Sequence, residues 1–400
     1  MTTPPKFPHF YQMNNVIQDY AWGSKTSISS LFGIKNPESK PQAEIWMGAH
    51  QNGCSKITVA DKPVLLSEFI YRHKTELIGE KADKLFGDLP YLFKVLAADK
   101  ALSIQVHPSK EQAKVGFAYE EAMGIPQSDS HRNYKDPNHK PELIYALTTY
   151  QAMNGFREYD EIVGLFSAIE IEEISALVNL LQANQNQTGL KRFFESILSL
   201  NGSTKTTVVT KLINYAENHR DDALFSLILE LAEQYPGDIG LFSPLMLNTI
   251  TLEQGEAMYL QACTPHAYIK GTGLEIMANS DNVLRAGLTP KHMDVKELVD
   301  CTCFTPTSVD KLRLIPNRYS DVDNYPIPVP DFKFSVYHNA NKTPLKVNSA
   351  EILLALDTPL TVTHADGETM TVNKGESIFI TACTEAYYAN SEGTFARAYN

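Results

Sequence analysis

No run of lysine and arginine occurs anywhere in the 400 residues, and the formal charge is −12. That balance argues against a nucleic-acid or anionic-membrane surface, which needs clustered positive charge. No stretch approaches the roughly 20 apolar residues of a membrane helix. The opening Met1-Thr-Thr-Pro-Pro-Lys-Phe-Pro-His9 lacks the apolar centre of a signal peptide. A soluble cytoplasmic protein with no nucleic-acid or membrane partner is expected. Cysteine is scarce, and the five present (Cys54, Cys263, Cys301, Cys303, Cys383) make an odd count that suits reduced thiols rather than a disulfide framework. Cys301-Thr-Cys303 has no second cysteine pair or nearby histidine to complete a thiolate metal site. Gly271-Thr-Gly273 lacks the third glycine and the βαβ pattern of a dinucleotide loop, and reads as a turn.

What is present divides the chain into regions. Its length exceeds what one core usually supports, so two or three domains are expected. Ala43–Met47, Leu102–His107 and Leu143–Leu147 have β character between Gly, Pro and Asn punctuation. From Tyr159 the period changes. Ile162, Leu165, Phe166 and Ile169, then Leu224, Leu227, Ile228 and Leu231, fall at the i, i+3, i+4, i+7 spacing of buried helix faces, which predicts a helical cluster closed by Pro236-Gly237. β-type segments then resume, with a Pro-rich stretch at Tyr325–Pro330.

The β part contains a repeat offset by 120 residues. Thr249–His266 lies over Thr369–Ala386 with seven of eighteen positions identical, among them the Gly-Glu turn and the closing Ala-Cys-Thr. Strand, Gly-Glu turn, strand is the hairpin of a small jelly-roll barrel of the cupin kind. The copies part where chemistry would reside, His266 in the first being Ala386 in the second. One barrel is therefore expected to be catalytic and the other structural.

Candidate site residues gather around one strand. Gln105 and His107 stand two apart in Ala101-Leu-Ser-Ile-Gln-Val-His-Pro108, so an amide and an imidazole share one face of it. Glu142, in His139-Lys-Pro-Glu, and His266, in Cys-Thr-Pro-His, are the candidates for completing a metal site. Two imidazoles, a carboxylate and an amide oxygen suit a borderline divalent ion, with zinc leading. Arg285 and Lys291 in Asn279–Lys291 could clamp a phosphate dianion. Lys94, in the apolar run Leu89–Leu96, must meet an anion. Glu275, Asp281, His139 and Lys140 add titratable groups for proton transfer.

The segments Gln18-Asp-Tyr-Ala-Trp-Gly23, Ala43-Glu-Ile-Trp-Met-Gly48, Leu89-Pro-Tyr-Leu-Phe-Lys-Val-Leu96, Leu102-Ser-Ile-Gln-Val-His-Pro108, His139-Lys-Pro-Glu142 and Asn279–Lys291 occur in order along nearly the whole chain. Together they resemble the type I phosphomannose isomerases. The resemblance implies one zinc ion on Gln105, His107, Glu142 and His266, with Arg285 as the catalytic arginine. It also implies a mainly β protein with a helical insertion: a catalytic cupin-like barrel (1–158 and 237–322), the helical domain (159–236) and a second barrel without metal ligands (323–400). The implied reaction interconverts mannose 6-phosphate and fructose 6-phosphate through a cis-enediol. On this reading Lys94, Ser103 and Lys291 hold the phosphate and Trp22 faces the sugar. Glu275, Asp281, Lys140 and His139 stay open as proton carriers. A sugar phosphate is the expected partner, and a monomer the expected state with a homodimer as the alternative. An iron-dependent cupin oxygenase and a non-catalytic sugar-phosphate binder are the rival readings. The oxygenase would need two His and one carboxylate with open positions, and does not call for Gln105.

Overall fold

The computed structural model describes residues 7–400. Most of the opening segment read above for a signal peptide, Met1–Lys6, lies outside the described residues. The chain forms two compact units, one comprising Met1–Ala97, Gly273–Asn279 and Leu314–Asn400, the other Ala98–Thr272 and Ser280–Arg313.

In the first unit a seven-stranded antiparallel sheet runs in the order Phe10–Gln12, Ser377–Ile380, Glu351–Ala355, Thr394–Tyr399, Lys333–His338, Val322–Tyr325, Asn317–Tyr319. A four-stranded sheet follows the order Thr343–Lys346, Ala386–Asn390, Leu360–Thr363, Thr369–Val372. Leu353, Ile378, Ile380 and Phe395 of the larger sheet and Leu345, Leu360, Val362 and Tyr387 of the smaller bury one shared apolar core. These ladders form a sandwich of two open sheets and not the closed barrel read from the repeat, while the class stands: mainly β with a helical insertion. The N-terminal strand Phe10–Gln12 pairs with Ile378–Ile380, so this sandwich draws on both ends of the chain. Val16–Gln18, Glu44–Met47 and the strand Tyr91–Ala98 form a further antiparallel set in the same unit.

In the second unit five helices, Tyr159–Ala168, Glu172–Ala183, Gln187–Leu198, Gly202–Asn218 and Ala223–Gln234, occupy the segment whose period is helical. Asn186 and Asp222 cap two of them, their side-chain oxygens accepting from the Gly189 and Leu224 amides. Their buried faces share one core with Ile104 and with Val106, Met153 and Phe156 of the strands. Period-two alternation then assigns two jobs to one segment. Ile104 and Val106, fully buried, anchor it on the helical core with about 1.5–3 kcal/mol of burial each. Ser103 and Gln105, at the alternate positions, are only half-buried.

The 120-residue repeat is carried by the folded elements. Strands Leu247–Leu252 and Ala257–Leu260 correspond to Thr369–Val372 and Ser377–Ile380. In each turn the glycine takes a left-handed φ, 91° at Gly255 and 80° at Gly375. The following glutamate closes the turn by accepting from the amide three residues back, Glu253 at 2.9 Å and Asn373 at 2.7 Å.

Candidate metal centre

Strand register lines up several of the candidate residues. Gln105 pairs with His266 on one side and with Arg285 on the other, and His266 pairs in turn with Asn154. Directly opposed residues share a face, so Asn154, His266, Gln105 and Arg285 form a row. At the usual strand spacing Arg285 is roughly 10 Å across from His266. Regular pairing covers only Gln105–Val106 and not the expected Leu102–His107. The amides of Leu102 and Ile104 instead donate to the carbonyls of Tyr268 and Gly287, at 2.8 and 3.0 Å. The strand Glu142–Ala146 pairs Glu142 with Leu260, which places the carboxylate at its first residue.

Tautomers follow from the partners. His107 Nδ1 donates to the Asn282 carbonyl at 2.7 Å and His266 Nδ1 to the Thr264 carbonyl at 2.9 Å. A carbonyl can only accept, so both protons sit on Nδ1 and both Nε2 atoms present lone pairs. Those nitrogens face the two oxygens of Glu142, His107 at 3.2 Å from Oε1 and His266 at 3.5 Å from Oε2. His107 Nε2 is buried and, despite that approach, has no hydrogen-bond partner. Two bare nitrogens and a carboxylate gathered in a buried site repel unless a cation lies among them. Two ligands held 2.0–2.1 Å from one tetrahedral zinc stand about 3.3 Å apart, which the observed separations match. The residues present therefore fit a zinc-class ion.

The surroundings hold the ligands in the right protonation state. Burial alone would raise the Glu142 carboxyl. The Lys140 ammonium, 3.3 Å from Oε1, opposes it, and the group is held well below the usual carboxylate range. Burial, then the Lys140 charge, pushes His107 down to about 4, so the ring is neutral at physiological pH. Tyr268 Oη donates to Glu142 Oε2 at 2.9 Å and fixes the carboxylate's orientation.

Arg285 is half-buried and forms no ion pair among the described residues. Burial lowers its pKa. Its positive charge, followed by burial, lowers that of Lys291. A lysine whose protonation is depressed by a neighbouring guanidinium is suited to receive an anion with it. Ser103 is half-buried, two residues before Gln105. His139 is half-buried with its amide on Asn138 Oδ1 at 3.0 Å, and Asp281 donates its amide to Asp136 Oδ2 at 2.7 Å.

Lys94, Glu275 and Trp22 belong to the other compact unit. The anion that Lys94 requires is there a pair of carboxylates: its Nζ lies 2.8 Å from Glu275 Oε2 and 3.4 Å from Glu44 Oε1, and 5.0 Å over the Trp46 ring. Trp46 Nε1 donates to Glu44 Oε2 at 2.9 Å. Trp22 stacks on Tyr20 at 5.8 Å.

Sequence reasoning missed four participants. Tyr268 was within reach, since it follows His266 by two residues and so shares its face. Asn282 and Thr264 act through backbone carbonyls, which any residue supplies, and no side-chain signal marks them. Glu44 stands opposite Leu96, a register invisible without the fold.

The sister copy shows what replaces the ligands. Ile380, offset by 120 from Leu260, pairs with Glu351 just as Leu260 pairs with Glu142. Glu351 is equally buried and also receives a tyrosine hydroxyl, Tyr387 at 3.0 Å. Its charge is met not by imidazoles but by the Arg397 guanidinium, whose Nε donates to Oε2 at 2.9 Å. A covalently attached cation thus stands in the second copy where the first presents open nitrogens.

Comparison with known proteins agrees with this geometry. Residues 10–159 match the phosphomannose isomerase type I catalytic domain, and residues 158–247 the helical insertion domain of the same enzymes. Mannose-6-phosphate isomerase of Salmonella typhimurium is 45% identical over 388 residues, spanning 96% of this chain and 98% of its own. Its counterpart from Homo sapiens is 36% identical over 409 residues, with 94% of each chain covered. A solved structure of mannose 6-phosphate isomerase described as holo and zinc bound superposes with a TM-score of 0.93 at 43% identity, covering 98% of this chain and 100% of that one. With its domains, full length and fold all shared, the chain belongs to the type I phosphomannose isomerases.

Proposed function

We propose that this chain is an aldose–ketose isomerase that interconverts D-mannose 6-phosphate and D-fructose 6-phosphate, with one zinc ion held by Gln105, His107, Glu142 and His266. The observation that carries the reading is the pair of bare Nε2 atoms turned onto a buried carboxylate. Full-length relatives named for the same activity support it. Zinc bound there would supply Lewis-acid polarisation of the substrate oxygens.

The remaining work falls to the chain. Isomerisation opens the sugar ring and moves one proton between C2 and C1 through a cis-enediol, while a second moves between the oxygens. Arg285 neutralises the negative charge that develops on the enediolate oxygens, a contribution of about 10²–10³ in rate. Its half-buried position and the lack of an ion-pair partner among the described residues support this role. Lys291 and Ser103 bind the phosphate, whose remote binding energy orients the reacting carbons. Lys140 and His139 carry the ring-opening proton, and Asp281 is the carboxylate assigned to the C1–C2 transfer. Glu142 is excluded from that transfer by its role as ligand. Cytoplasmic location and a monomeric state belong to the same proposal.

A coupled assay on mannose 6-phosphate, with glucose 6-phosphate and unphosphorylated mannose as controls, tests the reading. Turnover of mannose 6-phosphate alone is expected. Equal turnover of mannose would overturn the phosphate assignment, and oxygen uptake without isomerisation would favour the oxygenase.

A further inference from the structure

The described residues contain a second group able to hold a metal ion: His9, His364 and Asp366. All three lie in the first compact unit. His364-Ala-Asp-Gly-Glu368 is the turn joining strands Leu360–Thr363 and Thr369–Val372, and His9 immediately precedes the strand Phe10–Gln12.

Both parts are held in place before any metal arrives. The turn is closed by the His364 amide donating to the Glu368 carbonyl at 2.8 Å and the Gly367 amide donating to the His364 carbonyl at 3.1 Å. The His9 amide donates to the Glu368 carboxylate at 2.9 and 3.1 Å, and its carbonyl accepts from Thr384 Oγ1 at 3.2 Å and the Thr381 amide at 3.3 Å. Asp366 spans the two rings, with Oδ2 3.3 Å from His9 Nε2 and Oδ1 2.8 Å from His364 Nδ1. The rings stack at 3.6 Å. His9 is buried, and its Nδ1 has no hydrogen-bond partner among the described residues. Facing a carboxylate, Nε2 carries the ring proton in the metal-free chain, and a cation bound there would displace it, the other tautomer placing the proton on Nδ1.

Two imidazoles and a carboxylate are the ligand types that zinc takes, and the 3.3 Å approach of His9 to Asp366 is about the separation of two ligands on one tetrahedral ion. The same donor types form the centre described above, where all three are buried, whereas here His364 is half-buried and Asp366 exposed. A fourth position is left for water, and Glu368 adds a second negative charge beside the group. We infer that His9, His364 and Asp366 form a second divalent-metal site of the zinc class, structural in role, that clasps the start of the first strand to a turn 357 residues away in sequence. Closing a loop of that length restrains the unfolded chain more than the folded one.

Zinc itself is the probe. Wild-type chain and the variants His364→Gln, His9→Gln and Asp366→Asn are saturated with zinc, freed of unbound metal and analysed for metal per chain. Wild type should retain one zinc more than each variant, and its melting temperature should rise on filling that extra site while theirs do not. Isomerase turnover should be equal in all four. Asp366→Asn is isosteric, and circular dichroism verifies that it folds. Equal zinc content in wild type and folded variants would overturn the site, as would an extra zinc that survives all three substitutions. Because the readout is a difference between chains, it does not depend on whether the His107–His266 centre is filled.

Discussion

Replacing Arg397 by leucine should destabilise the C-terminal sandwich far more than replacing Arg397 and Glu351 by leucine together. Glu351 is 1% exposed and is met by Arg397 Nε at 2.9 Å and the Tyr387 hydroxyl at 3.0 Å. The single change leaves a carboxylate in an apolar interior with the tyrosine alone. Removing one partner of a buried pair costs about 3–5 kcal/mol, whereas exchanging both for apolar side chains is often neutral. Arg397 also donates to the Lys346 carbonyl at 2.7 Å, so the double variant should still lose about 1–1.5 kcal/mol from that bond. The single variant loses that bond too, so the gap between the two stays at about 3–5 kcal/mol, roughly 140–4,000-fold in the unfolding equilibrium at 1.4 kcal/mol per decade. Urea unfolding followed by tryptophan fluorescence reads it directly, because Trp22 and Trp46 lie in the same compact unit as Arg397. A double variant as unstable as the single would refute the reasoning that Arg397 exists to neutralise Glu351.

Other outcomes follow from the same structure. Arg285→Ala should fold normally yet lose about 10²–10³ in turnover; a change confined to KM would show instead a role in binding. Tyr268→Phe should weaken zinc affinity by about 10–100-fold, measured by competition with a chelating dye, and unchanged affinity would remove Tyr268 from the support of Glu142. In metal-free protein His107 titrates at about 4 against 6.5 when unperturbed. Its depressed value means the native state refuses a proton that the unfolded chain accepts, so stability present above pH 6.5 should be lost as pH falls toward 4, and His107→Gln should flatten that slope. Gly255→Ala should cost about 1–2 kcal/mol for its left-handed backbone, and Gly375→Ala more, since its new Cβ would stand 2.6 Å from Phe32 Cβ while that at Gly255 meets nothing nearer than 3.9 Å. Equal melting temperatures for the two variants would contradict the difference in packing.

What could be read without coordinates was whatever depends on local period. The period-two reading there is matched in burial, Ile104 and Val106 being fully buried and Ser103 and Gln105 only half-buried, although only two residues pair regularly. The helical insertion was legible because Ile162, Phe166, Ile228 and Leu231 repeat at the helical spacing over several turns. The repeat was legible because its glycine must take a left-handed φ and its glutamate must close the turn. What depends on distant pairing was hidden. Nothing near Phe10 indicates that it lies against Ile380, and the apolar run around Lys94 demanded an anion without saying that Glu44 and Glu275 supply it. Carbonyl partners such as Asn282 and Thr264 leave no trace in residue type, although they set the tautomers on which the centre depends.

The central claim is that catalysis requires the ion held by His107, Glu142 and His266 with Gln105, and the rate of mannose 6-phosphate isomerisation during zinc return to chelator-stripped protein tests it most directly. Stripped protein should show no turnover and should regain the full rate as zinc binds, while Glu142→Gln should not recover under the same conditions. Full-rate isomerisation by metal-free protein would contradict the claim.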